Sequence, residues 1–432
     1  MGVMGGLVMM SVWGECVMLM LAVSMIMLCS SSDSVVWKSC FVGELDNVGW
    51  CLSILSVWVV SLAVMGSKGV KKNNQNSMFF ILLMTSLVII FLLSFYVSDF
   101  MFFYVGFESS LVPIFFLILG WGYQPDRSQA GIYMMLYTLF GSLPLFFLIL
   151  NLSENGSSYM YVVSTCERSF FFFMFLVGAF LVKFPMFFLH LWLLKAHVEA
   201  PVAGSMILAG VMLKMGGYGL VRFLVFLESG FSVLSEVVLC VSLWGGLAVS
   251  MNCLRQTDMK LLVASSSVVH MSSCIGGLFI LSEWGMKGAV VVMVGHGLCS
   301  SGLFYLVNVV YERTGSRSMV LSKGLLNFMP SMCLWWFFLV SSNMSAPVSL
   351  NLLGEIFLLL SLVSWSSLVA VPVGVMCFLS GAYSLYLFSL SQHGRYVSNS
   401  TGFHSGFVIE YLVSSCHWIP LNTMVFGIFW LV

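Results

Sequence analysis

The sequence is built from apolar segments of about 20 residues that are joined by short polar connections. Hydrophobic residues make up 60% of the chain and charged residues only 8%, whereas soluble globular proteins carry about 25% charged residues. A helix of about 20 apolar residues crosses the hydrocarbon core of a bilayer. The chain is therefore predicted to be an all-α polytopic membrane protein. The predicted spans are residues 3–29, 48–66, 78–97, 100–120, 129–150, 169–192, 200–224, 232–252, 259–281, 286–310, 331–369, 372–391 and 410–431.

The segment 331–369 is too long for one straight span, and the polar string SSNMSAPVS (Ser341 to Ser349) interrupts it. Loops after even-numbered spans hold most of the lysines and arginines, including Lys195, Lys260 and Arg395, which is the positive-inside pattern. Dividing 331–369 into two crossings would move Arg395 to the acidic side. We therefore predict thirteen spans, with the N-terminus on the basic side (matrix or cytoplasm) and the C-terminus opposite.

Two of these segments, 169–192 and 331–369, carry helix-breaking residues. Interrupted helices in corresponding positions of two halves are typical of transporters built from inverted repeats. The two lie five spans apart, and since five is odd, the halves would have opposite topology. The predicted organisation is N-terminal helices (1–77), a first repeat (78–224), a second repeat (232–391) and a C-terminal helix (392–432).

Lys183 lies inside FFFFMFLVGAFLVKFPMFF (Phe170 to Phe188), at membrane depth. A lysine there costs on the order of 3 kcal/mol and usually marks a charge pathway. Pro185 breaks the helix beside it, and irregular backbone survives at that depth only inside protein or along a wet cavity. The pattern predicts an ion-translocation site. The alternative is a structural counter-ion paired with Glu108, which itself could be a neutral hydrogen-bonding acid.

The remaining ionisable residues near span centres extend this hypothesis. Lys214 lies among glycines that favour close helix packing, and His270 and His296 share helix faces with serines, which predicts a lining for water. Each histidine could equally be a hydrogen-bonded core residue. We predict a proton relay in which Glu108 controls Lys183, and Glu355 is the terminal station. The candidate residues are Glu108, Lys183, Lys214, His270, His296 and Glu355; Glu15 has no assigned role.

Several functional classes lack support in the sequence. The formal net charge is zero, which gives no electrostatic case for nucleic-acid binding, and no nucleotide-binding motif is present. The twelve cysteines show no metal-ligand spacing and are interpreted as small apolar residues. We expect no cofactor or metal in this chain and no cleavable leader. Abundant Phe, Gly, Met and Trp suggest an organellar gene with a G/T-rich coding strand.

Long strings then identify a family. The segments Phe107 to Pro144, beginning FESSLVPIFFLILGWGYQPDRSQAGIYMMLY, and Phe180 to Arg222, beginning FLVKFPMFFLHLWLLKAHVEAPVAGSM, closely resemble the NADH–ubiquinone oxidoreductase chain 4 family, the mitochondrially encoded antiporter-like subunits of respiratory complex I. The strings at Gln256 to Met271, Gly295 to Arg317 and Asn351 to Ile356 extend the resemblance. It covers residues 99–391 well and the tail weakly.

The resemblance implies a fourteen-helix plan, here with a shortened start, in the inner mitochondrial membrane. By this resemblance, Glu108 matches the glutamate of the family's first half, and Lys183 matches the lysine of its first broken helix. Lys214 matches the lysine of the following helix, and His270 and His296 lie on the polar central axis. Glu355 matches the acidic residue of the second broken helix. Proton translocation would be driven by NADH oxidation by ubiquinone elsewhere in the complex, where flavin and iron–sulfur clusters are bound.

The implied partners are other membrane-arm subunits, the lipid bilayer, protons and internal water. Leu194 replaces a usual proline, so the loop after the first broken helix is expected to differ in shape. Gly315 replaces a histidine of many relatives in a matrix loop. Two alternatives remain: a subunit of a multi-subunit cation/proton antiporter, and an inert membrane scaffold whose buried charges only pair.

Overall fold

Helices form nearly all of the described chain. The computed structural model describes residues 13–29, 46–72, 76–154, 170–224, 232–394 and 406–427. The helices are α1 (Trp13–Cys29), α2 (Asn47–Gly66), α3 (Lys68–Lys72), α4 (Ser77–Tyr96), α5 (Phe100–Ser109), α6 (Leu111–Trp121), α7 (Arg127–Glu154), α8 (Phe170–Lys183), α9 (Leu191–Glu199), α10 (Val202–Ile207), α11 (Leu213–Phe223), α12 (Ser232–Cys253), α13 (Met259–Phe279), α14 (Glu283–Thr314), α15 (Leu325–Phe328), α16 (Pro330–Asn343), α17 (Leu350–Trp365), α18 (Ala370–Gln392) and α19 (Val408–Thr423). A π-helical turn, Leu208–Met212, joins α10 to α11, and a 3₁₀ turn, Ser367–Val369, precedes α18.

The predicted all-α membrane class is confirmed. In the described ranges, nine helical stretches are long and apolar enough to cross a bilayer, and α1, α8 and α17 are shorter apolar helices. Each of the thirteen predicted spans contains a helix. A bilayer offers no water to satisfy exposed backbone groups, so apolar segments of this length hydrogen-bond internally as helices.

Both predicted helix breaks are present. The first separates α8 from α9 and contains Pro185, with Phe188 at φ 72°. The second separates α16 from α17 and contains Pro347, with Val348 at φ 73°. Proline cannot donate the helical hydrogen bond, and a bulky residue at positive φ is a strained outlier that the surroundings must hold in place. Each break therefore has a local cause in the sequence.

The described residues form two compact units. The first comprises residues up to Pro185 together with Glu199–Val237, and the second comprises Met186–Val198 together with residues from Val238 onward. In the first unit, α2 packs against α1, α4 and α10, and α7 packs against α8. In the second unit, α14 is buried from Gly288 to Val310 and packs against α13, α16, α17 and α19. The boundaries of the two repeats stay a prediction.

Some details differ from the expectations. Leu194 and Lys195 lie in helix α9 rather than in a loop, because α9 continues to Glu199. Lys260 is buried in the first turn of α13 instead of standing in a connection. Gly315 ends α14 at φ 67°, a left-handed conformation that glycine adopts without strain. Arg395 lies outside the described residues.

Candidate functional site

Lys183 is the last residue of α8, and its side chain is only 1% exposed. Its ammonium donates a hydrogen bond to the backbone carbonyl of Phe107. The same nitrogen lies 3.2 Å from the centroid of the Phe107 ring, which is the geometry of a cation–π contact. The buried amine predicted from the sequence is therefore real, and both of its contacts come from one aromatic residue.

Glu108 follows Phe107 in the last turn of α5, just before the chain turns at Ser110 into α6. Pro113 supplies no N–H for the carbonyl of Ser109, so the helix is interrupted here. Both carboxylate oxygens of Glu108 are buried, and in the described part of the chain neither has a hydrogen-bond partner. A buried carboxylate without a partner is costly, which makes this group a candidate for charge or proton exchange.

The Glu108 and Lys183 charges interact without forming a direct ion pair. Glu108 acts electrostatically on Lys183, but the ion pairs within 4.0 Å among the described residues do not include these two. A direct contact between the two charged groups is therefore absent from this state, and the sequence-based alternative of a structural counter-ion stays open. The amine lies beside Phe107, and the nearby carboxylate has no hydrogen-bond partner in the described part of the chain.

Lys214 lies in the first turn of α11 and is completely buried. Its ammonium donates to the carbonyl of Ala209 at 2.6 Å, a residue of the π-helical turn. Gly216 lies against the first break: a Cβ there would stand 2.8 Å from the backbone nitrogen of Phe184. The glycines beside Lys214 thus serve close packing, as predicted, and bring α11 against the end of α8 that carries Lys183.

In the second unit, the structure brings His270, His296 and Glu355 together. Nδ1 of His270 lies 3.4 Å from Oε1 of Glu355, and its Nε2 lies 3.4 Å from the hydroxyl oxygen of Tyr383. The ring centroids of His270 and His296 are 5.5 Å apart. An imidazole with an acid on one nitrogen and a phenol on the other can accept a proton at one nitrogen and release one at the other.

A cavity of about 30 Å³ lies beside this cluster. That volume is enough for roughly one or two water molecules. Ser273 lines it, and the hydroxyls of Ser273 and Ser266 donate to carbonyls of their own helix. The predicted lining for water stays a prediction. The lining residues are Val269, His270, Ser273, Glu355, Leu358, Leu359, Leu362, Val373, Met376, Cys377 and Ser380.

Sequence reasoning missed two residues of these clusters. Phe107 is one of 38 phenylalanines in the sequence, and nothing in the sequence pattern distinguishes it from the others. Tyr383 is fully buried and carried no signal beyond a hydroxyl in an apolar span. Glu15 is exposed on α1 and belongs to neither cluster. Within the described ranges, no group of three or more His, Cys, Asp or Glu residues is arranged to hold a metal ion.

Solved structures share this fold. A chain of respiratory complex I from Thermus thermophilus superposes with a TM-score of 0.88 at 22% identity, covering 99% of this chain and 93% of that one. A chain of the Mrp complex from Dietzia sp. superposes with a TM-score of 0.80 at 18% identity, covering 94% of this chain and 46% of that one.

Sequence comparison identifies the family. The family described as NADH:quinone oxidoreductase/Mrp antiporter, transmembrane, matches residues 97–380, and NADH-ubiquinone oxidoreductase chain 4, amino terminus, matches residues 4–94. NADH-ubiquinone oxidoreductase chain 4 of Ceratitis capitata is 49% identical, covering 88% of this chain and 86% of the relative. The Aedes aegypti protein of the same name is 48% identical over the same shares. This chain therefore belongs to the NADH–ubiquinone oxidoreductase chain 4 family.

Proposed function

We propose that this chain is a membrane-arm subunit of a proton-translocating NADH:ubiquinone oxidoreductase in the inner mitochondrial membrane. Its relatives carry the name of that complex, and its apolar helices suit a multi-pass membrane protein. The observation that carries the proposal is Lys183, a buried amine at a helix break beside a carboxylate without a partner. Buried ionisable groups of this kind mark proton pathways in membrane proteins.

In the first unit, the attraction of Glu108 favours the protonated form of Lys183. At ~8 Å and an effective dielectric constant of ~20, this interaction is worth about 2 kcal/mol. When Glu108 moves away or is neutralised, the attraction disappears and Lys183 passes its proton towards Lys214. In the second unit, His270 and His296 relay the proton, and Glu355 is the terminal station.

The driving energy comes from outside this chain. Moving one charge against 100 mV requires about 2.3 kcal/mol, which is similar to what one buried pair supplies, so the relay alone cannot set the direction of transport. In this proposal, oxidation of NADH by ubiquinone in other subunits opens the steps in order. Flavin, iron–sulfur clusters and both redox substrates are held there, and this chain contacts other membrane-arm subunits, lipid and internal water.

The Lys183→Met variant tests the proposal in the intact complex. Methionine keeps the apolar stem and removes the amine, so we expect assembled complex whose proton pumping per NADH oxidised falls about tenfold or more. Lys287→Met is the matched control, because Lys287 pairs at 2.6 Å with Glu283 on an exposed surface and should change little. Normal pumping by assembled Lys183→Met would support the inert scaffold instead.

A cation/proton antiporter subunit is the second candidate. The wider family description includes Mrp antiporters, and the Mrp fold is similar. The match of residues 4–94 to the chain 4 amino terminus and the curated relatives favour the first candidate. The location of the gene separates the two: an organellar genome beside genes for other complex I subunits fits the oxidoreductase, whereas a bacterial operon of antiporter genes fits the alternative.

A further inference from the structure

Two separate groups of one residue hold the Lys183 ammonium. The backbone carbonyl of Phe107 accepts its hydrogen bond, and the face of the Phe107 ring lies 3.2 Å from its nitrogen. The negative face of an aromatic ring attracts a cation, most strongly where water is excluded. Lys183 and Phe107 are each 1% exposed, so the ring acts on the charge with little competition from solvent.

The Phe107 ring is fixed in place by its neighbours. Phe180 of α8 packs against it in a T-shaped arrangement, with ring centroids 5.6 Å apart and an interplanar angle of 75°. Phe180 is itself held by α11, since a Cβ at Gly219 would stand 2.1 Å from the Phe180 ring. The Phe107 ring is thereby packed by a neighbour, while one of its faces is directed at the amine. A ring held in this way presents its face without losing further rotational freedom.

Phe107 and Glu108 are consecutive residues, so one helical turn offers the amine two different partners. The carboxylate of Glu108 stands without a hydrogen-bond partner in the described part of the chain, while the amine lies on Phe107. A lysine has a flexible four-carbon stem, so an exchange of partners needs a movement of that stem. When the amine is not at the Glu108 carboxylate, the carbonyl and the ring of Phe107 hold it.

We propose that Phe107 is a positioning residue whose ring face and backbone carbonyl form a second seat for the Lys183 ammonium. This aromatic seat holds the amine away from Glu108, so that the lysine alternates between two defined places instead of remaining locked to the carboxylate. The inference rests on the proposed function, because it assigns a further residue to the same relay. Ordinary core packing is the competing explanation of the same contact.

Phe107→Leu in the intact complex separates these explanations. Leucine fills much of the space but has no aromatic face, so we expect assembled complex in which proton pumping per NADH oxidised falls about tenfold. Phe103→Leu is the matched control: Phe103 is fully buried in the same aromatic cluster, with its ring centroid 5.9 Å from that of Phe107. We expect the control to pump normally, since core packing alone would make the two variants alike.

Two more variants keep the test decisive. Phe107→Met, whose flexible side chain fills irregular space, replaces Phe107→Leu if the latter does not assemble, and it should lose pumping equally. Phe107→Tyr keeps the ring face and should pump within about twofold of the parent. A density map of the ring-less variant should show the amine within hydrogen-bond distance of Glu108, whereas the Phe103→Leu map should show it still on Phe107.

The outcomes distinguish this inference from the proposed function. If Lys183→Met pumps normally, the relay itself is wrong and the aromatic seat has no role. If Lys183→Met fails to pump while Phe107→Leu matches Phe103→Leu, the relay stands and the aromatic seat is refuted. An amine that keeps its place on residue 107 after the ring is removed, with pumping intact, refutes it too.

Discussion

At the scale of single residues, the proposed relay gives Lys183 two partners, the aromatic seat on Phe107 and the carboxylate of Glu108. As general magnitudes, the attraction between two opposite charges at a separation of ~8 Å is worth about 2 kcal/mol at an effective dielectric constant of ~20, and a desolvated cation–π contact is worth about 2 kcal/mol as well. In the proposed relay, interactions of comparable size let a modest change in the charge or place of Glu108 shift the amine. Two nearly equal partners are what a switch needs, and one dominant partner would prevent switching.

The Glu355–His270 contact leads to a residue-scale prediction. Glu355→Gln keeps a hydrogen-bonding side chain 3.4 Å from His270 but removes the carboxylate that exchanges a proton in the proposed relay. We expect proton pumping per NADH oxidised to fall about tenfold or more. The matched control is Glu283→Gln, since the Glu283 side chain is 76% exposed. Equal pumping by the two variants would show that Glu355 is not part of the relay.

At the scale of helices, the breaks depend on close approach of neighbouring backbones. Gly216 of α11 faces the backbone at the end of α8, and Gly295 of α14 faces Asn351 at the start of α17, where a Cβ would stand 2.3 Å from the amide oxygen. Asn351 also donates to the carbonyl of Ser342 at 2.9 Å, so it connects the two halves of the second broken helix. At each break, a glycine of a neighbouring helix therefore packs directly against the interrupted segment.

Gly216→Ala tests this packing. The new Cβ would lie 2.8 Å from the backbone nitrogen of Phe184 and 3.2 Å from the carbonyl carbon of Lys183, and backbone atoms cannot yield as a flexible side chain does. We expect a loss of about 1–3 kcal/mol in stability, measured as a lower temperature for thermal dissociation of the purified complex. Gly178→Ala on α8 is the control, because nothing lies within 4 Å of its Cβ; it should be neutral or stabilising. If Gly216→Ala and Gly178→Ala dissociate at the same temperature, close packing at Gly216 does not contribute to stability.

The sequence predicted the elements better than it predicted their contacts. Thirteen apolar segments and two proline-marked breaks follow from local chemistry, and so does the burial of Lys183. The contact of Lys183 with Phe107 depends on how α8 rotates against α5, and Phe107 looks like any other apolar residue in the sequence. Likewise, the π-helical turn that places Ala209 beside the Lys214 amine adds one residue to a helical turn. Neither effect has a periodic signal.

At the scale of the whole molecule, each unit is tied by an ion pair between residues distant in the sequence. Arg222 pairs with Asp46 in the first unit, and Arg313 pairs with Glu410 at 2.6 Å in the second. Each pair joins residues that the predicted topology puts on one side of the membrane. Glu410 also accepts the backbone N–H of Phe407 at 3.1 Å, so it caps α19 while fixing that helix to α14.

The Arg313–Glu410 pair gives the last prediction. Both side chains are 7% exposed, and removing one partner of a buried pair leaves an uncompensated charge that costs about 3–5 kcal/mol. We therefore expect Arg313→Gln to lower the dissociation temperature of the complex strongly, and the double variant with Glu410→Gln to recover part of the loss. Arg222→Gln is the control, and it should cost less because Asp46 is more exposed. A double variant less stable than Arg313→Gln alone would show that the α19 cap, and not the pairing of charges, fixes the C-terminal helix.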